Sequence, residues 1–385
     1  FPYTTLFRSM IILKKPLASL FFKDKALSGL VCLAAVTTLV SSTNSLVSAP
    51  TRMQNQRKVY VIMNAVGPVL SYGVALPLLL TGHYIIALPL AALLSGAFSE
   101  GVFWILNKSW FSIDKFRKEH LGPLLKIAIP LFPIFIVYWI FNSSDRLMIT
   151  QLLGTSETGL YSLGSKLGHA SQLIYTAFAG GWQYFAFSTM KEDDQVGSNS
   201  KVFEYLGVIS FSATAFICAL ARPIYRLFFT AEYASSYIIS PYLFLAPLLL
   251  MLYQVEANQF LVTKKTWPNL LILTGGAVCN IILNFLLIPR IGIEGAAIAT
   301  LAGYVISDIV CTVVLTKMKL MVLSSEFVVS SMLMLVYFVV WRSMTLESTG
   351  YSILLALMFS FTWAVIYRKS LGKFFSILKD RRNEK

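Results

Sequence analysis

Charge is what this sequence has least of. Asp, Glu, Lys and Arg make up 13% of its 385 residues, against about 25% in a soluble domain. With 56% hydrophobic residues and a mean hydropathy of +0.69, the chain falls outside the soluble class and among membrane proteins. Histidine is scarcer still: His83, His120 and His169 are scattered. There is no Gly-rich phosphate loop of the Walker type, so the chain reads as a non-enzyme that needs no cofactor and binds no ATP of its own. The four cysteines, Cys32, Cys218, Cys279 and Cys311, stand singly in apolar runs without CxxC spacing. They read as small buried side chains and say little about redox compartment. Acids are outnumbered, 18 against 32 basic residues, but no basic helix with interleaved aromatics occurs, which excludes nucleic acid as partner.

What the sequence does have is long apolar runs. A helix needs roughly 20 apolar residues to cross a bilayer. Eleven stretches qualify, at 27–49, 59–81, 84–106, 122–142, 157–188, 202–221, 237–256, 268–288, 292–315, 324–342 and 350–367. The fifth is long and interrupted by Gly164, Gly168, Gly180 and Gly181, which predicts a bend or close helix contact. Most of the basic residues lie in one alternate set of loops, including Arg52, Arg57, Lys58, Lys108, Lys264, Lys265, Lys317, Lys319 and the tail from Arg368. The positive-inside rule makes that set, and the C-terminus, cytoplasmic.

The first nine residues, FPYTTLFRS, are what the codons TTT CCC TAC ACG ACG CTC TTC CGA TCT of a common short-read sequencing adapter encode. Phe1–Ser9 are therefore expected to be an artefact that replaces the true N-terminal segment. Parity agrees: eleven spans with the C-terminus inside leave the basic stretch Lys14 to Lys25 outside, against the charge rule. An odd number of further helices upstream would put both ends inside.

The expected organisation is a remainder of an N-terminal lobe with three helices (10–106) and a basic, amphipathic interlobe linker on the membrane surface (107–121). A six-helix C-terminal lobe (122–316), two additional helices (317–367) and a cytoplasmic tail (368–385) follow. RKVY at Arg57–Tyr60 returns as KKTW at Lys264–Trp267, each time opening an apolar helix. Such a faint repeat is what a transporter built of related halves would show, and it places three missing helices in the first half.

Two stretches carry a resemblance. FNSSDRLMITQLLGTSETGLYSLGSKL, Phe141 to Leu167, and NIILNFLLIPRIGIEGAAIATLAGYVISD, Asn280 to Asp308, resemble two helix junctions of polysaccharide flippases of the Wzx type, within the multidrug/oligosaccharidyl-lipid/polysaccharide exporter superfamily. The resemblance implies an all-α polytopic membrane protein, a two-lobe transporter bundle of fourteen helices, of which eleven are visible in an N-terminally truncated chain. The second motif also has a plain physical reading. Pro289 cannot donate a backbone hydrogen bond and is expected to stop one helix, while Gly292 allows the turn. Gly295, Ala296, Ala297 and Ala299 then give the next helix a close-packing face.

Charges inside spans are costly, roughly 2.5 to 3.5 kcal/mol for a central lysine. Lys166 lies well inside the fifth span. It either snorkels outward or faces a cavity, and its depth favours the cavity. The lipid II flippases, distant relatives, resemble this segment through a cavity-lining basic residue at a similar place. Lys126, near the inner interface, is open to snorkelling or to substrate contact. Asp145 and Arg146 are either a local interfacial pair or a gating contact. Glu100, Glu256 and Asp308, read as near helix ends, are candidates for coupling an ion. His169 could titrate near neutral pH or simply be a packed polar side chain.

The function this implies is translocation of a polyprenyl-pyrophosphate-linked oligosaccharide across the bacterial inner membrane by alternating access, for cell-surface polysaccharide biosynthesis. Membrane lipid, a polysaccharide polymerase and export proteins are its expected partners. Two alternatives stand beside it. A multidrug or organic-cation antiporter of the same superfamily would want acids in its cavity rather than Lys166. A membrane polysaccharide polymerase would need a sizeable external loop, and the external loops here are short.

Overall fold

The computed structural model describes residues 2–54, 56–111, 119, 122, 125, 133, 136–189, 194–262, 267–345, 348–370 and 372. The described residues are helical, with turns between, and fall into two compact units, Phe1–Pro130 and Leu131–Lys385. Nine of their helical stretches are long and apolar enough to cross a membrane. They agree with nine of the eleven expected spans to within several residues. Most of the span at 122–142, Lys126 and most of the linker at 107–121 lie outside the described residues.

In the first unit, α1 (Pro2–Ile12) and α2 (Lys14–Phe22) pack on α3 (Ser28–Met53), which lies against α5 (Tyr84–Asn107); α4 (Arg57–Leu80) packs on α5 as well. Phe1–Ser9 thus fall largely within α1. The core here is small: Val47, Met63 and Phe103. Polar ties supplement it, as interhelical hydrogen bonds do in apolar surroundings. The Asn107 side-chain amide donates to the Val47 carbonyl and to the Thr51 hydroxyl, both at 2.8 Å, and the Ser95 hydroxyl donates to the Gly67 carbonyl at 2.8 Å.

The second unit is built around α10 (Ser240–Val262). Its sequence SPYLFLAPLLLMLYQVEANQFLV is apolar on every side in its first half, and a helix of that kind belongs in the middle of a bundle. Around it stand α7 (Thr155–Gly168), α8 (Ser171–Ser188), α9 (Gln195–Phe228) and α12 (Ile293–Lys317). α6 (Asp145–Leu152), entered through a π-helical turn at Ile140–Ser144, leans on α11 (Trp267–Ile291). α13 (Ser325–Val340) and α14 (Thr349–Ile366) pack on α9.

The interrupted span is two helices, α7 and α8, broken at His169 and Ala170. Its glycines explain why α7 can approach so closely. A Cβ on Gly164 would sit 2.5 Å from the Ser236 carbonyl oxygen, and one on Gly168 would sit 2.6 Å from Leu243 Cβ. Pro289 does not stop α11, which runs on to Ile291. At the last turn a proline removes only one intrahelical bond, and the chain turns instead at Gly292, where φ is +66°. Gly295, Ala296, Ala297 and Ala299 are all buried, and α11 and α12 share the most extensive helix–helix contact among the described residues.

Candidate functional site

A cavity of about 430 Å³ opens within the second unit where α7 breaks into α8. Its wall is made by His169, Gln172 and Tyr175 at the break, by Asn142 and Phe141 in the π-helical turn, by Leu250 and Gln254 of α10, and by Thr300 and Tyr304 of α12. Each has a local reason to be there. Pro247 interrupts the α10 ladder beside the cavity, and a π turn re-aims side chains at Asn142. Phe141 stacks on Tyr304, ring centroids 4.2 Å apart, and closes one side. The Gln254 amide donates to the Tyr175 hydroxyl at 2.6 Å. Tyr138 and Gln254 also line a second cavity of about 230 Å³ with Trp182, Tyr253, Asn258 and Asn269. The two together form an aromatic and amide-lined recess, the kind of wall that takes sugars and polar headgroups.

The expected site residues fall into three groups. Asp145 and Arg146 do not themselves line this recess, and they are joined by a backbone hydrogen bond and by charge rather than by a side-chain hydrogen bond. Asp145 is buried and accepts from the Tyr161 hydroxyl and from the Arg146 backbone N–H at 2.7 Å. The Arg146 guanidinium reaches the Ser165 hydroxyl at 3.4 Å, leaves its buried Nε without a partner, and lies close enough to His169 to act on it electrostatically. Arg146 is therefore a cation beside the cavity wall.

Lys166 is exposed on α7, one turn before His169. The stripe it shares with Thr155, Gly159, Ser162 and Ala170 carries no large apolar side chain. The lipid-like surfaces of the unit look different: α11 shows Val278, Ile282 and Phe285, and α13 shows Met332, Leu335 and Val339.

Glu256 and Asp308 are not near helix ends as expected. Both lie inside helices, 1% and 8% exposed, at the contact of α10 with α12. Glu100 stands apart, half-buried on α5 in the first unit. That unit also holds a groove of about 570 Å³ lined by Thr37, Thr38, Ser41, Ser42 and Ser45 of α3. Sequence reasoning passed over this hydroxyl stripe, although VTTLVSSTNS in the middle of an apolar span was the signal for it. The recess at the α7–α8 break was missed for another reason: its wall comes from residues up to about 160 positions apart in the sequence.

A multi-pass helical bundle with polar recesses inside its units is the architecture of a membrane transporter. The family described as polysaccharide biosynthesis protein matches residues 3–238, and the chain belongs to that family. The resemblance read from the two helix junctions is borne out at that level. No curated protein matches the chain. Among solved structures it is similar to lipid II flippase MurJ in an inward closed conformation, with a TM-score of 0.72 and 16% identity, covering 96% of this chain and 82% of that one. At that identity the likeness establishes a shared fold.

Proposed function

We propose that the protein is a flippase that carries a polyprenyl-pyrophosphate-linked oligosaccharide from the cytoplasmic to the outer leaflet of the bacterial inner membrane, by alternating access. A pyrophosphate with sugars attached cannot cross hydrocarbon unaided, so the carrier must offer polar and cationic groups inside the membrane while the prenyl tail stays in lipid. The observation that carries this reading is the α7 face: Lys166 stands on a stripe of small and polar residues, next to the recess that holds His169 and has Arg146 at its edge. Family membership and the flippase-like fold support it. Lys166 and Arg146 would hold the pyrophosphate, and the amides and aromatic rings would meet the sugars.

Purified protein in vesicles tests it directly. Vesicles loaded with a fluorescent polyprenyl-pyrophosphate oligosaccharide in the inner leaflet should expose that lipid to an impermeant quencher. An exposure rate equal to that of protein-free vesicles would overturn the proposal.

A further inference from the structure

Two carboxylates in the second unit are left out of that reading. Glu256 of α10 and Asp308 of α12 are buried within helices that have the length and apolarity of membrane spans. Thr312 stands one turn beyond Asp308 on the same face of α12, and its hydroxyl donates to Glu256 Oε1. That bond brings both acids to the same stretch of the α10–α12 contact, and Glu256 acts on Asp308 electrostatically. Asp308 lies nine residues before Lys317, about 14 Å from the inner end of its helix at 1.5 Å per residue.

Three of the four carboxylate oxygens, Glu256 Oε2 and both of Asp308, are buried without a hydrogen-bond partner. Among the described residues no basic side chain touches either acid. The groups that face them are Thr312 and Cys311 of α12 and Tyr253 of α10, with Tyr304 and Tyr138 further along the same core. All of these are neutral at physiological pH in their ordinary forms. Two unneutralised carboxylates buried at one helix contact would each carry the full cost of a buried charge. A proton between them supplies both the missing charge and the missing hydrogen bond.

We propose that Glu256 and Asp308 form a single proton-binding site, in which a carboxyl O–H of one acid donates to the carboxylate of the other. The proton comes from water and returns to it, with no other bond made or broken. Its gain or loss is felt at the recess, because Tyr253 lines the second cavity and Tyr304 the first; both acids act electrostatically on Tyr253, and Asp308 acts on Tyr304. The pair thus supplies the ion linkage for the transporter proposed above.

The inference rests on the transporter reading only for that linkage, and its test needs no substrate. Infrared spectra of the full chain in vesicles are recorded as pH is lowered, in potassium chloride. A carboxylic-acid C=O band should grow in, shift in deuterium oxide, move its midpoint in Glu256→Gln and in Asp308→Asn, and vanish in the double variant. A titrating band that survives unchanged in the double variant would overturn the proposal. So would loss of the band when sodium chloride replaces potassium chloride at fixed pH, since the site would then hold a metal ion. Should the amide variants not insert, Glu256→Asp keeps both carboxyls and moves one, and an unshifted midpoint there counts equally against it. A negative spectrum with normal lipid exposure in vesicles leaves the flippase reading standing; the reverse leaves the proton site standing.

Discussion

Arg342 and Glu294 meet in a two-pronged ion pair, Nε to Oε1 at 2.6 Å and Nη2 to Oε2 at 3.0 Å. The pair joins the turn that follows α13, Trp341–Thr345, to the start of α12, and the Tyr242 hydroxyl donates to Glu294 Oε1 at 3.0 Å. Glu294 is nearly enclosed while Arg342 is half-open, so the carboxylate depends on its partner more than the guanidinium does. Arg342→Ala should lower the thermal unfolding temperature of the purified protein, through a stability loss of about 1.5–3 kcal/mol for a charged hydrogen bond removed. Arg342→Lys should recover only part, because a lysine cannot reproduce the fork. Tryptophan fluorescence on heating checks this, and an unchanged transition for both variants would mean the pair contributes nothing.

Close approach at Gly164 sets a second expectation. A methyl group there meets both the Ile239 side chain and the Ser236 backbone carbonyl, and the carbonyl cannot swing aside. Gly164→Ala should therefore cost about 1–3 kcal/mol, typical of overpacking, and reduce the fraction that elutes as a single species in detergent. Gly275→Ala, with open space around its Cβ position, should behave as wild type. Equal behaviour of the two variants would show that α7 is not packed as described.

For Lys166, charge should matter more than shape. Lys166→Ala should abolish polysaccharide export in cells that depend on this protein, and Lys166→Arg should retain part of it, since charge survives while geometry changes. Lys166→Glu should be at least as damaging as alanine. Each variant is compared at matched membrane levels; full export from Lys166→Glu would make the residue a bystander.

Orientation follows from charge and can be read by labelling. With the four native cysteines replaced, Ser109→Cys and Ser376→Cys should resist an impermeant thiol reagent in intact cells. Ser343→Cys, exposed beside Arg342, should react. The reverse pattern would invert the topology.

Much of this was open to reading along one dimension. A membrane span is a local property, about 20 consecutive apolar residues. Nine spans consequently stand where hydropathy put them, and the small-residue run Gly295 to Ala299 packs as its composition implies. The break between α7 and α8 was legible in the same way, because glycine weakens a helix wherever it falls. What the sequence could not disclose was which polar residues face one another. Glu256 and Asp308 looked like separate acids near helix ends, and Asp145 and Arg146, adjacent in the chain, were open to a local pair or a gating contact. Tertiary packing supplied the partners. It closed α12 onto α10 so that Thr312 reaches Glu256, and it turned Asp145 toward Tyr161 and the Arg146 side chain toward Ser165. Inside a bilayer a polar side chain must find its partner within the protein, and which helix supplies that partner depends on the relative rotation of two helices, fixed by every contact along them.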